Sequence, residues 1–449
     1  MNPSSTTTHR SGVSSAIASR MEPHSSSATK PSASSIFFSG GAYFIHFLAL
    51  GFASFPLQTH LRQVLSPASA SLVASVVPIA ACSTYFLFRF AEARGWTRSP
   101  QWMLVALASS LSIMQATLGM KLHWVSGHSY WIGPAIDVAA CLLVLGCVQS
   151  SCMTVLNHIG VAAMGSHAYT VRAAGSAGYM VAVMLMGLLG GSQLEVSERH
   201  LFVGAACSAV HAIFAALSFA FVRWTPDPSR SSSQAPHPDA SPPDTAATSA
   251  AFCTETQPTR VSKSHALEWW CLLVLVWMIA MCEMSYGLYS HEFLTSTYGA
   301  WGYFVFATAI AMEIGLLLAM PRLNALKQRL LFVGPLGWIC LFSGCLLAIA
   351  GWYPMGYFAL ALALNCPFQV SANEHAHRMK PSILGVASMT LAQSLGYVTA
   401  TFVAAWTTGS GNGPQRLWTI MWIASIVALI LALWKMNRDR IEATAKGPC

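Results

Sequence analysis

In YTVRAAGSAGYM, residues 169–180, Arg172 is followed by Ser176, Tyr179 and then the apolar run MVAVMLMGLLGG. Helical positions i, i+4 and i+7 share one face, so the guanidinium, hydroxyl and phenol form a polar stripe. Gly175 and Gly178 leave that helix thin, open to a neighbouring helix or a ligand. An ionised group within hydrocarbon costs about 2.5–3.5 kcal/mol on insertion scales. Arg172 therefore faces a water-filled cavity or a partner, or else snorkels to the headgroups as a topology anchor. Further along, Glu313 lies well inside an uncharged run that begins at Trp301. It binds a solute or a proton, or is a buried acid paired with another helix. Glu283 in MIAMCEMSYGLYS stands one turn before Tyr286, and both are candidates for the same cavity. His46 in AYFIHFLALGF lies mid-run, as a substrate contact or an interhelical hydrogen bond. Glu374, in LNCPFQVSANEHAHRMK, is a candidate proton carrier. The neighbouring His375 and His377 are two apart and point in different directions on a helix, so no metal site is expected there.

These groups need elements that hold them in lipid. Of 449 residues, 54% are hydrophobic and 9% charged, against roughly 25% charged in soluble chains. With a mean hydropathy of +0.52, too little polar surface remains for a water-facing shell, and the chain reads as a membrane protein. The net charge of +8 does not point to nucleic acid, because the basic residues form no groove-like patch and no aromatic-rich basic motif. The twelve cysteines show no CxxC or Cys/His zinc spacing, and most fall in apolar runs as small buried hydrophobes.

A spanning helix takes roughly 20 mostly apolar residues. That length gives twelve candidates, centred near Leu48, Ile79, Leu111, Leu143, Met184, Ala212, Met278, Ala309, Leu341, Leu360, Gln393 and Ile426. Residues 1–35 read as a Ser/Thr-rich cytoplasmic tail with no signal-peptide core, and Met21 is a second candidate start. Residues 224–265 read as a Pro/Ser/Ala-rich linker between a first half, 36–223, and a second, 266–437, with a short tail over 438–449. With both termini cytoplasmic, outward loops hold only Arg62, Lys121, Arg199 and Arg416 of the 24 basic residues. That bias fits the positive-inside rule and implies a multi-pass protein of the plasma (inner) membrane.

Several local motifs carry a resemblance. VRAAGSAGY looks like the fifth-helix signature R-x-x-G-[ST]-x-G-aromatic of lactose-permease-like and nucleoside:proton symporters, within the major facilitator superfamily. Upstream, Asn157 in VLNH is similar to an asparagine near the end of their fourth helix. AMEIGLLLAMPRL, residues 311–323, resembles the eighth helix of nucleoside symporters, where a glutamate matched by Glu313 precedes an apolar run and a proline. PSILGVASMTLAQSLG, residues 381–396, loosely matches the start of their eleventh helix. The resemblance implies two six-helix halves rocking about a central site. It also implies that Arg172, Ser176, Tyr179 and Asn157 line the substrate cavity and that Glu313 binds substrate. Departures are visible: Ile310 stands where those symporters usually carry Gln, and the arginine at the inner end of their ninth helix is not evident. FRFAEARGWTR keeps an acid at Glu92 and a glycine at Gly95 from the superfamily's loop motif, but Phe88 replaces the first glycine and Arg98 comes one place late.

The sequence thus predicts an all-α, twelve-span membrane protein of the major facilitator type. Walker, H-E-x-x-H and G-x-S-x-G signatures are absent, so no enzyme, cofactor or metal is expected and an ion gradient must supply the energy. The expected activity is proton-coupled import of a small polar solute by a monomer. A nucleoside is favoured, with a sugar or aromatic acid as alternatives and sodium coupling open. Glu313, Glu283 or Glu374 would carry the proton. Two other readings stand: an efflux antiporter of the same fold, and a non-transporting membrane sensor or scaffold.

Overall fold

The structure is a computed structural model that describes residues 31–64, 72–126, 132–190, 199–221, 261–298, 301–323, 326, 329–349, 355–408 and 413–445. Residues 1–30 of the tail expected over 1–35, and most of the expected linker, lie outside the described residues, while the first helix already begins at Ala33, within that expected tail. Among the described residues, twelve long helices follow in chain order. They are α1 (Ala33–Val64), α2 (Val76–Ala93), α3 (Pro100–Ser126), α4 (Ile132–Met164), α5 (Ala168–Gly190) and α6 (Arg199–Phe221). The second set is α7 (Val261–Tyr298), α8 (Gly302–Ala319), α9 (Leu330–Ile349), α10 (Met355–Met379), α11 (Ile383–Thr408) and α12 (Gly413–Ala445). No strand occurs among the described residues. Ten of the helices are long and apolar enough to cross a membrane, and α9 adds a shorter apolar stretch, Val333–Ala348.

Backbone groups in lipid must be satisfied within the segment, which is why helices are the solution here. Outward faces confirm the solvent: Phe86, Trp102, Ile113, Leu188, Ile213, Trp406 and Ile430 are all exposed. Such a density of bare apolar side chains would be an aggregation surface in water and is the expected surface in a bilayer.

The packing of the second half repeats that of the first with helix numbers shifted by six. In the first half α1 packs on α5 and α6, α3 on α4 and α6, and α2 on α4. In the second, α7 packs on α11 and α12, α9 on α10 and α12, and α8 on α10. The closest approaches repeat as well. A Cβ on Gly178 of α5 would run into the Phe44 carbonyl of α1, and one on Gly396 of α11 into the Trp277 carbonyl of α7. Missing side chains let backbones meet at both places. Between halves, α5 packs on α8 and α2 on α11, while α4 touches α10 and α11. Helices α1 and α7, which the same exchange pairs with each other, make no contact of comparable extent among the described residues.

That asymmetry sets where the molecule is shut. On the side bearing the chain termini, the Thr154 and Thr390 hydroxyls share a hydrogen bond of 2.8 Å between α4 and α11. There the His158 and His377 rings meet at 5.6 Å, and Ile383 and Ala387 join the cluster holding Ile159 and Met164. Close by, Glu268 of α7 pairs with His375 of α10 at 2.7 Å and with Lys435 of α12 at 3.3 Å, tying three helices of the second half together. Toward the opposite side a cavity opens between the halves, while Tyr303 of α8 still packs on Val183 and Met186 of α5.

Candidate functional site

A cavity of about 1030 Å³ lies between the halves. It reaches Leu57 and Leu61 near the end of α1, Ser290 on α7 and Gly413 at the start of α12, all on the side away from the termini. Its floor is polar. The stripe expected on α5 faces it whole, since Arg172, Ser176 and Tyr179 all line the cavity. Gly175 lets this stripe close on α1, because a Cβ there would stand 2.9 Å from the Phe47 ring and 3.0 Å from the Arg172 guanidinium.

Arg172 is buried, at 6% exposure, and its guanidinium lies over the Phe47 ring at 3.9 Å. Its Nη1 has no hydrogen-bond partner, and no carboxylate approaches within ion-pairing distance among the described residues. The aromatic face partly offsets the cost of burying the cation, and the donor without a partner among the described residues, Nη1, is itself buried against Gly175. Across the cavity, Glu313 of α8 accepts a hydrogen bond from Ser176 Oγ. Glu283 of α7 is held more elaborately. It accepts from Tyr397 OH of α11 at 2.8 Å and from Gln369 Nε2 of α10 at 3.2 and 3.4 Å. Gln393 in turn donates to Tyr397 OH at 2.7 Å. Asn157 lines the floor and accepts from Tyr43 OH of α1 at 3.1 Å, and Tyr286 lines the wall. With both carboxyls ionised, these three charged groups sum to −1. The cavity therefore offers hydrogen-bond donors and acceptors of both signs beside the aromatic faces of Phe47, Tyr179 and Phe306.

Two expected residues lie elsewhere. His46 is turned into the first half, toward Cys152 and His211, and does not line the cavity. Glu374 sits beyond the floor, toward the termini, 3.6 Å from Arg378 one turn on. The sequence reading did not name Tyr397 or Gln393 as site residues, although their spacing of four on one helix face was a usable signal. Gln369 and Asn365 were visible as polar positions on α10, but not their orientation toward Glu283 and the cavity. Asp137, near the far mouth of α4, pairs with Lys121 of α3 at 2.6 Å and belongs to the rim.

No family model matches the chain, and no curated protein matches it. Solved structures do. A point mutant of the nucleoside transporter NupG superposes with a TM-score of 0.58 at 15% identity, covering 89% of this chain and 99% of that one. NupG itself superposes with a TM-score of 0.55 at 16% identity, covering 90% and 98%. The chain has the major facilitator fold. A bacterial homologue of the human lysosomal transporter Spinster, at a TM-score of 0.48, is too distant to argue from. The major facilitator fold accounts for the repeated packing, the shut side and the central cavity as parts of one architecture. Its two halves are the two packing repeats, and the polar floor lies where they meet.

Proposed function

We propose that this protein is a secondary active transporter that imports a small polar organic solute, a nucleoside first, together with a proton. The observation that carries the reading is a buried guanidinium, Arg172, in the lining of a cavity that also holds two carboxyls, the buried Glu313 and the half-buried Glu283. Intramembrane charges that line a cavity between moving halves mark solute and proton pathways. Ribose hydroxyls suit the carboxylates and Arg172, and a base suits the faces of Tyr179 and Phe306. The volume is at the upper end for small-molecule sites, so a nucleoside would enter with water. The likeness to a nucleoside transporter supports the same substrate class.

In this reading the termini are cytoplasmic and the cavity opens outward, ready to load. Solute and proton enter together, the halves rock, and the gate around Thr154 and Thr390 parts. Glu313 or Glu283 carries the proton, since each is within the floor and bonded to groups that a solute can displace. The protein acts as a monomer.

Uptake of labelled uridine and adenosine into proteoliposomes under an inward proton gradient tests this. Gradient-driven uptake by the wild type, lost in Arg172→Ala and Glu313→Gln, is the expected result. A folded wild type that takes up neither compound overturns the nucleoside reading, and sugars, aromatic acids and efflux substrates are then screened on the same vesicles.

A further inference from the structure

Away from the transport cavity, three potential metal ligands converge inside the first half: His46 of α1, Cys152 of α4 and His211 of α6. One ligand atom from each lies within 4.8 Å of the others. All three residues are buried, at 1%, 0% and 0% exposure. The Cys152 Sγ to His46 Nδ1 distance is 3.6 Å. Two ligands at about 2.3 Å (sulfur) and 2.0–2.1 Å (nitrogen) from one metal, at tetrahedral to trigonal angles, stand about 3.5–3.8 Å apart. The His46 and His211 rings meet edge-on, with centroids 5.3 Å apart. A second observation is independent of this convergence. Among the described residues, His46 Nε2 and both nitrogens of His211 have no hydrogen-bond partner. Buried polar atoms are ordinarily paired, and His211, a neutral imidazole with one N–H and one lone pair, is left with a lone pair that nothing uses.

We infer that His46, Cys152 and His211 form a binding site for copper(I). The charge balance selects the ion. A thiolate, two neutral imidazoles and a monovalent cation sum to zero, whereas a divalent ion such as zinc would leave a net +1 in an apolar interior. That excess would be costly, and more so here. His46 abuts the Phe47 ring at 5.6 Å, and that ring also carries the Arg172 guanidinium over it. Three ligands of soft and imidazole type suit copper(I). Binding replaces the Cys152 S–H bond with an S–Cu bond and releases one proton to solvent. Because α1, α4 and α6 belong to the same half, rocking leaves the site intact. The ion therefore braces the half and is not cargo. No sequence motif announces the site, since its members are 106 and 59 residues apart (46 to 152, 152 to 211).

The test uses purified full-length protein under anaerobic reducing conditions, with copper(I) supplied as its bicinchoninate complex. Wild type is expected to withdraw one equivalent more than Cys152→Ser or His211→Ala, while Cys345→Ser, a buried thiol in the other half, withdraws as much as wild type. Copper loading is expected to raise the thermal midpoint of wild type and not of Cys152→Ser. X-ray absorption on the loaded wild type, which needs no variant to fold, is expected to show one sulfur and two nitrogen neighbours. The inference is overturned by a wild type that takes no copper from the chelator. It is equally overturned by a Cys152→Ser protein that keeps the full stoichiometry, or by a sulfur-only coordination shell.

Discussion

Replacing Thr390 by valine is a nearly isosteric cut through the shut side of the molecule. Thr390 and Thr154 share one hydrogen bond across the two halves, at 2.8 Å. Each hydroxyl also has a carbonyl of its own helix in reach, Ser150 at 2.9 Å and Val386 at 3.3 Å. After Thr390→Val, the Thr154 hydroxyl keeps its bond to Ser150, so no polar group is stranded and only the inter-half bond is lost. A net hydrogen bond is worth about 0.5–1.5 kcal/mol. Because the bond exists only while this side is closed, its loss shifts the balance toward the alternate conformer by about 2- to 13-fold. Double electron–electron resonance can read this, with labels encoded orthogonally to the cysteines at exposed Ala162 and Pro381, which flank the gate. A long-distance population is expected to grow by that factor. Thr154→Val and the double variant should match Thr390→Val, since all three remove the same bond. An unchanged distribution in Thr390→Val, or additive effects in the double variant, would refute the assignment of this contact as the gate.

Other outcomes follow from the same geometry. Gly178→Ala is expected to lower the thermal midpoint, because its Cβ collides with the Phe44 carbonyl. Gly315→Ala, whose Cβ meets nothing within 4 Å, should raise stability by about 0.5–1 kcal/mol in a denaturation series. Tyr397→Phe removes a donor to Glu283 and the acceptor for Gln393. Uptake measured against external pH should change its profile, whereas Tyr303→Phe, outside the cavity lining, should leave it alone. Arg172→Lys is expected to lose about tenfold or more in uptake despite keeping the charge, because an ammonium does not reproduce the planar fork over Phe47.

Much of the architecture was legible because lipid imposes a simple rule. Each of the twelve expected run centres, from Leu48 to Ile426, falls inside an observed helix. The Arg172 stripe was legible for a related reason: its three members share one helix, so a period alone places them together. Glu283 and Glu313 stood out as charges inside apolar runs. Helix ends were less legible. α7 begins at Val261, within the residues expected for the linker, and α12 runs to Ala445, into the expected tail. Polar helix beyond the bilayer carries no apolar signal. His46 shows the other limit. A single polar residue on an apolar helix has no periodicity to report its face, and its neighbours Cys152 and His211 come from helices that only the fold brings together. The tie between Glu283 and Tyr397 is hidden in the same way, 114 residues apart in sequence.

The length of α12 has a practical consequence. Its 33 residues extend about 50 Å at 1.5 Å per residue, against a hydrocarbon slab of about 30 Å. The final stretch, KMNRDRIEATA, therefore leaves the bilayer as unbroken helix, and Lys435 anchors its base to Glu268. A rigid soluble protein grafted in phase onto that helix would act as a fiducial marker for single-particle imaging. Its tilt would report the angle of the second half directly, without any label in the cavity.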